Sequence, residues 1–343
     1  MERKRFLQSL IPAGSICASI GSLDAYGGQQ DPQTLLVPSY LKQGDTIGIL
    51  CLSGFVKKEA IQPAVQQLEA WGFRIQLGDT IGKKDGSLGG TDAERLNDLH
   101  QMIRNPKIKA ILSARGGYGL IRILDQIDLT LLKKHPKWIL GFSDVTSLHC
   151  HLNRKLGLAS IHSKMCNSFP EDLQQADPIQ QEALVSIRDV LMGKPIQYTA
   201  AAHFANRTGK ASGMLIGGNL KTIEALAGSG SDLRTDGKIL FLEDAGEYLY
   251  SIDRMFWNLK RAGKLEHLKG LIIGGFREKA SEDPEEEFGK TLQEIVMEKV
   301  AHSTYPVCFD FPTGHQKNNF ALKCGVTYQL QVRASGTTLT EIT

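Results

Sequence analysis

A serine at residue 143 stands where a nucleophile could be presented. The apolar run 137–140 before it is typical of a buried strand, and apolar side chains recur at helical spacing from Val145 to Lys155. We therefore expect Ser143 on a strand-to-helix turn, with its hydroxyl at the carboxyl edge of a sheet and unpaired helix N–H groups close by. The surrounding sequence is not GxSxG, and the local pattern favours an alternative in which Ser143 or Asp144 caps the helix.

An acid and a histidine further along the chain could activate that serine. Glu243 follows the apolar run 239–242, so we expect its carboxylate at the end of a buried strand. His315 follows another predicted strand and lies in a loop rich in glycine and amide side chains. A catalytic triad on an open sheet can adopt this order of serine, acid and histidine. A solvated carboxylate is the alternative for Glu243.

A glycine-rich turn upstream could supply backbone donors for a negatively charged intermediate. Residues 115–119, Arg-Gly-Gly-Tyr-Gly, follow a predicted strand. One N–H from Gly116 or Gly117, together with that of Asp144, would form an oxyanion hole, and a plain tight turn is the alternative. The glycines match only part of GxGxxG, and residues 208–211 lack the first glycine and the final hydroxyl of a P-loop, so we expect no nucleotide cofactor.

Composition and charge argue against several other functions. The formal net charge is +3 over 343 residues, and the basic side chains are scattered among 37 acids, so we expect no nucleic-acid partner. The six cysteines lack metal-type spacing, and neighbours in the run His149-Cys150-His151 face different sides of a helix, so we expect no metal. Beyond residue 30 no apolar run approaches the roughly 20 residues of a membrane-spanning helix, so we expect no integral membrane association.

Residues 1–30 have the pattern of a leader. The run Arg3-Lys4-Arg5-Phe6-Leu7 is similar to a twin-arginine export signal with lysine in place of one arginine, and a moderately apolar stretch follows. We expect export to the periplasm or cell envelope. A disordered leader on a cytoplasmic protein is the alternative.

The elements that would position the candidate residues alternate between strand and helix. Predicted strands begin at residues 46, 74, 108 and 137 with helices between them, which is typical of a parallel, doubly wound α/β sheet that binds its ligand at the carboxyl ends of the strands. We predict an amino-terminal domain over residues 36–170, a connecting segment over 171–210 and a carboxyl-terminal domain over 211–343. Helices are expected over 120–126 and 285–301, and one opened by Asp177 in the connecting segment.

Several motifs, in this order, resemble the LD-carboxypeptidase family, which includes the microcin C self-immunity peptidases. The resemblance is carried by residues 44–49, 90–96, 115–119, 141–146, 217–220, 242–244 and 314–315. It implies a flavodoxin-like parallel-sheet amino-terminal domain, a smaller β-rich α+β carboxyl-terminal domain and a homodimer. It also implies a serine peptidase in which Ser143 is the nucleophile, His315 the general base and Glu243 the acid that orients the histidine.

The substrate that the resemblance implies is a muropeptide. In a murein tetrapeptide, cleavage of the L,D-peptide bond would release the terminal D-alanine. We assign the backbone N–H groups of Gly117 and Asp144 to the oxyanion. Such a substrate carries a free carboxylate that a fixed cation would bind, and we assign Arg115 to it, with a structural salt bridge as the alternative. We also assign Gly218 and Asn219 to substrate binding.

Two segments depart from the family pattern. Residues 52–56, Leu-Ser-Gly-Phe-Val, replace the more usual Pro-Ser-Gly-Pro-Val, and residues 161–164, Ile-His-Ser-Lys, stand where members tend to show His-Gly-Pro. Both segments are expected near the cleft that holds the active site, so the sequence determines the reaction better than the substrate.

Two other functions remain as alternatives. One is a detoxifying amidase of the microcin C immunity type, and its mark would be aromatic side chains that stack on a nucleotide base. Another is a catalytically silent peptidoglycan-binding protein.

Overall fold

The structure is a computed structural model that describes residues 35–280, 283, 285 and 287–342. The predicted leader, residues 1–30, lies outside these ranges, so its role in export stays a prediction. Within the described residues, no helix is both long and apolar enough to cross a bilayer.

The first sheet is built from buried parallel strands with helices between them. The strands are Thr46–Leu50 (β1), Arg74–Leu77 (β2), Ile108–Ser113 (β3), Trp138–Gly141 (β4) and Ser160–His162 (β5). The helices are Gln62–Ala70 (α1), Asp92–Arg104 (α2), Thr130–Lys134 (α3) and Thr146–Leu156 (α4), followed by Pro178–Leu191 (α5). The strand order β2-β1-β3-β4-β5 is that of a flavodoxin-like sheet.

The rest of the chain forms a second, mixed sheet. Its elements in chain order are Gln197–Ala200 (β6), Gly209–Asn219 (β7), Leu220–Ala225 (α6), Ile239–Tyr248 (β8), Leu249–Arg261 (α7), Gly270–Lys279 (β9), Leu292–Lys299 (α8), Val307–Cys308 (β10), Leu322–Cys324 (β11), Thr327–Arg333 (β12) and Gly336–Glu341 (β13). The order is β10-β9-β8-β7-β12-β13-β6, with β7 to β10 parallel and the other strands antiparallel. The predicted fold class, a flavodoxin-like sheet followed by a β-rich second part, is confirmed.

One strand crosses between the two parts of the chain. β11 pairs antiparallel with β5 and so forms an edge of the first sheet, although its neighbours in sequence belong to the second. β6, in the predicted connecting segment, forms an edge of the second sheet. The domain bounds drawn from the sequence stay a prediction.

Capping residues in the sequence predicted the starts of two helices correctly. The capping box of Thr91 and Glu94 opens α2, and the Asp177 side chain accepts the N–H of Ile179 at the start of α5. The helix expected over 285–301 is shorter and begins after a second capping box at Thr291. The helix expected over 120–126 is wrong, because this segment forms two separate 3₁₀ turns, which are common in short connections.

A buried carboxylate joins three loops at the carboxyl edge of the first sheet. Asp144, which is 7% exposed, accepts hydrogen bonds from Ser53 Oγ at 2.5 Å and from the N–H of Leu120 at 2.9 Å. These residues follow β1, β3 and β4, so one side chain connects the loops of three strands. Burial raises the pKa of Asp144, and the two hydrogen bonds oppose that rise.

The alternative in which Ser143 or Asp144 caps the helix is wrong. Neither the 3₁₀ turn that begins at Ser143 nor the helix α4 after it has a side-chain cap.

Asp144→Ala should destabilise the fold, because it leaves the buried Leu120 N–H without an acceptor. We expect the free energy of unfolding, measured by urea denaturation, to fall by about 2–3 kcal/mol. Asp144→Asn keeps a carbonyl oxygen and should lose less. Asp125→Ala, an exposed control on the adjacent 3₁₀ turn, should stay within about 0.5 kcal/mol of wild type. A wild-type unfolding midpoint for Asp144→Ala would show that this carboxylate does not hold the loops together.

Candidate active site

Ser143 occupies the strand-to-helix turn that the sequence predicted. It begins a single 3₁₀ turn, Ser143–Val145, between β4 and α4, and its side chain is half-buried. Its φ is 60°, a value that only one other described non-glycine residue, Asp310, approaches. A positive φ at a non-glycine residue is strained and recurs where a nucleophile is projected from a sharp turn. The surrounding fold therefore holds this serine in a conformation that it would not adopt by itself.

His315 and Glu243 are in direct contact. Nδ1 of His315 lies 2.5 Å from Oε2 of Glu243, whose side chain has no exposed surface. A carboxylate can only accept, so Nδ1 carries the proton and Nε2 is left as the free acceptor of the ring. Gly314 makes the contact possible, since its φ is +92° and a Cβ there would overlap the Cβ of Glu243.

The sequence predicted that Glu243 ends its strand, and this prediction is wrong. β8 continues to Tyr248 along β9, but its pairing with β7 stops at the pair formed by Asn219 and Glu243. The register with β9 shifts between Leu242 and Asp244. Such an irregularity redirects a side chain. The carboxylate is therefore presented where β7 ends, within a strand that goes on.

The charges around His315 favour its protonated form. Burial disfavours the imidazolium, but the hydrogen bond to Glu243 and the negative charges of Glu243 and Asp244 outweigh burial and raise the pKa of His315 above its usual value. An imidazolium formed at this position would therefore be stabilised.

Phe142 brings the serine turn next to the histidine loop. Its ring centroid lies 4.9 Å from that of His315, and Ser143 is the following residue. Among the described residues no hydrogen bond joins the Ser143 hydroxyl to His315. Catalytic hydrogen bonds of this kind often tighten only when substrate binds. The structure thus joins His315 to Glu243 and packs the residue that precedes Ser143 against the His315 ring.

The glycine turn lies against the serine. A Cβ on Gly116 would lie 3.2 Å from Oγ of Ser143, so only a glycine leaves that space open. The N–H assigned to the oxyanion belongs to the next residue in the chain, Gly117. On the other side, Asp144 is in the first turn of its helix, where the N–H has no acceptor within the helix.

The three residues assigned to substrate binding have different environments. Arg115 is exposed, and its Nη1 donates to the carbonyl of Phe55 at 3.0 Å. Asn219 is 6% exposed and caps α6 through Thr222, and its amide also donates to Asp244.

Gly218 and Asn219 help to join the two sheets. A Cβ on Gly218 would lie 2.5 Å from Oγ1 of Thr146, and that hydroxyl accepts the N–H of Asn219 at 3.0 Å. Both residues therefore connect β7 to the start of α4, and their part in substrate binding stays a prediction.

Sequence reasoning did not assign two buried residues beside the site. His162 is fully buried between Phe142 and Phe241, with ring centroids 5.8 Å and 5.0 Å away, and burial lowers its pKa well below the usual value. Lys164 is 8% exposed, and its Nζ donates to the carbonyl of Gln316 at 3.4 Å. Both lie in the segment 161–164 that departs from the family pattern, which was the available signal.

The histidines and cysteines that could have formed a metal site have structural environments. His149 Nε2 contacts the carbonyl of Gly141, whereas His151 Nδ1 contacts Oγ of Ser231. In the part of the chain that the structure describes, no group of His, Cys, Asp and Glu is arranged to hold a metal ion. The described cysteines are all buried and free, as expected of small apolar side chains: Cys51, Cys150, Cys166, Cys308 and Cys324.

Known proteins resemble this chain along most of its length. The family model for the LD-carboxypeptidase N-terminal domain matches residues 47–163, and that for the LD-carboxypeptidase C-terminal domain matches residues 212–330. The chain is 32% identical over 290 residues to the probable murein peptide carboxypeptidase of Bacillus subtilis (strain 168), a match that covers 84% of this chain and 89% of that protein.

Solved structures share the fold. The muramoyltetrapeptide carboxypeptidase from Oxalobacter formigenes is 26% identical with a TM-score of 0.77, covering 86% of this chain and 98% of that one. The wild-type microcin C7 self immunity protein MccF is 25% identical with a TM-score of 0.78, covering 90% and 99%. The chain therefore belongs to the LD-carboxypeptidase family and is a hydrolase, a serine-type carboxypeptidase.

Proposed function

We propose that the chain hydrolyses the L,D-peptide bond of a murein tetrapeptide and releases the terminal D-alanine, with Ser143, His315 and Glu243 as its catalytic triad. One observation carries the proposal: His315 contacts Glu243 at 2.5 Å, and its ring packs on Phe142 at the strained turn of Ser143. The murein peptide and muramoyltetrapeptide carboxypeptidases that the chain resembles support this choice of substrate.

The proposed mechanism begins with proton transfer to His315. Nε2 takes the proton of the Ser143 hydroxyl as Oγ attacks the carbonyl carbon on the L side of the bond. The same Nε2 then protonates the leaving nitrogen, which departs as D-alanine and leaves the shortened peptide as an ester on Ser143. Water attacks that ester with His315 again as base, and the enzyme is restored. Glu243 holds the ring in the required tautomer and stabilises its cation.

The tetrahedral intermediates would be stabilised by backbone donors. The N–H groups of Gly117 and Asp144 lie on two loops that flank Ser143, and the buried Asp144 carboxylate connects both loops. Each such donor is worth about 3 kcal/mol of barrier when it is fixed in advance. The strain at Ser143 is consistent with a hydroxyl held in place for attack.

Ser143→Ala should abolish turnover. We expect D-alanine release from murein tetrapeptide to fall by at least about 10³-fold, because no other group at the turn can form the ester. A fluorophosphonate probe should label wild type and fail to label the variant. Ser212→Ala, which changes an exposed serine on β7, is the matched control and should behave as wild type. Retained turnover in Ser143→Ala would exclude Ser143 as the nucleophile. If the wild-type protein neither reacts with the probe nor cleaves the substrate, the alternative of a silent peptidoglycan-binding protein is the correct one.

Glu243→Gln should change the pH dependence as well as the rate. His315 acts as a base only when it is neutral, so the raised pKa of His315 shifts the acid limb of the kcat/KM profile to higher pH. Removing the carboxylate charge should move that limb to lower pH and reduce kcat on the order of 10²–10⁴-fold. Glu266→Gln, on the surface, is the control. An unshifted acid limb in Glu243→Gln would mean that this carboxylate does not act on the catalytic histidine.

A second candidate substrate is a peptidyl or aminoacyl nucleotide, as expected of the microcin C immunity type. Tyr118, in the glycine turn beside Gly117, is 58% exposed and could stack on a base. The likeness to MccF, one structure of which holds aspartyl sulfamoyl adenosine, is consistent with this candidate.

A competition between substrates separates the two candidates. We expect kcat/KM for murein tetrapeptide to exceed that for aminoacyl sulfamoyl nucleotides, and Tyr118→Ala to leave murein cleavage nearly unchanged. If nucleotide substrates are preferred and Tyr118→Ala weakens their cleavage by roughly tenfold or more, the detoxifying function is the correct one. The homodimer that the family resemblance implies stays a prediction.

A further inference from the structure

Lys164 is a buried cation with a weak partner. Its Nζ makes one hydrogen bond, at 3.4 Å to the carbonyl of Gln316, and no carboxylate among the described residues forms an ion pair with it. Other buried lysines are better satisfied. Lys299 pairs with Asp253 at 2.5 Å, and Lys323 pairs with Glu341 at 2.7 Å.

An ammonium in this state is unfavourable for the folded protein. It has three donors and only one acceptor, and burial lowers the pKa of Lys164 with no nearby acid to oppose that effect. Leaving a buried charge uncompensated destabilises a fold, and such groups occur where a ligand supplies the opposite charge. An anionic ligand group would complete the site.

The position of Lys164 connects it to both halves of the candidate active site. The preceding residue, Ser163, donates its N–H to the carbonyl of Gly141 at 3.0 Å, so the segment runs beside the serine turn. The next residue, Met165, lies near Gly116, since its Cε is 3.2 Å from where a Cβ would stand. Lys164 itself reaches Gln316, the residue after His315.

The proposed mechanism places the substrate carboxylate on the same side. His315 protonates the leaving nitrogen, so the departing D-alanine lies on the histidine side of the scissile bond. In a carboxypeptidase substrate the terminal carboxylate is separated from that nitrogen by one carbon atom. It must therefore lie close to the loop that carries His315 and Gln316, where the ammonium of Lys164 is found.

We propose that Lys164 Nζ binds the terminal carboxylate of the substrate and so restricts the enzyme to the last peptide bond. This inference rests on the proposed murein carboxypeptidase function. It gives Lys164 the role that the sequence analysis had assigned to Arg115. The Arg115 guanidinium is exposed and hydrogen-bonded to Phe55 on the oxyanion side, and an exposed cation attracts an anion less strongly than a buried one.

Two substrates and three variants test the assignment. The substrates are murein tetrapeptide with a free terminal carboxylate and the same peptide ending in D-alaninamide. Wild type should prefer the acid. Lys164→Met keeps the length of the side chain without its charge, and should lower kcat/KM for the acid by about 10- to 100-fold while changing amide cleavage little. Lys317→Met, an exposed lysine of the histidine loop, and Arg115→Gln should both keep the wild-type preference.

The melting temperature gives a readout that does not depend on activity. Removal of an uncompensated buried charge should leave Lys164→Met as stable as wild type or more stable. A lower melting temperature with equal losses on acid and amide would show a structural role and overturn the proposal. So would an unchanged acid preference in Lys164→Met, or loss of that preference in Arg115→Gln. If wild type cleaves neither peptide, the murein function itself fails, and the assignment of Lys164 fails with it.

Discussion

A carboxylate with no exposed surface needs a partner, and Glu243 finds one in Nδ1 of His315 at 2.5 Å. This contact decides which ring nitrogen is free, raises the pKa of His315 and fixes the direction in which the proposed base can act. Local backbone features make the contact possible: the register shift in β8, the end of β7 and the glycine at 314. The proposed pair of base and acid thus depends on where strand pairing in the second sheet begins to change.

The serine comes from the other sheet, so the two sheets must be held at a fixed distance. Thr146, at the start of α4, accepts the N–H of Asn219 at the end of β7, and Gly218 packs directly on the Thr146 side chain. The residue after the serine, Asp144, holds the loops of β1, β3 and β4 together through its buried carboxylate. A strained residue persists only where surrounding contacts over-determine it, and these contacts provide that support for Ser143.

Alternation of strand and helix predicted a parallel, doubly wound sheet, and local chemistry predicted the helix starts at Thr91 and Asp177, because these signals act over a few residues. The family resemblance supplied the flavodoxin-like form of that sheet and the proposed roles of the serine, acid and histidine. The sequence missed features that depend on distant contacts. β8 runs past Glu243 because β9 continues beside it, β11 joins the first sheet through three residues of antiparallel pairing, and the buried Lys164 contacts Gln316 far along the chain.

The covalent intermediate is the most direct test of the central claim, that Ser143 attacks the peptide with help from His315 and Glu243. Wild-type protein would be mixed with murein tetrapeptide, quenched with acid at millisecond intervals, digested and examined by mass spectrometry. The account predicts that the peptide containing Ser143 gains the mass of the acyl group left after D-alanine departs. An acyl group on any other residue, or release of D-alanine at full rate with no acylated peptide at the earliest times, would contradict it.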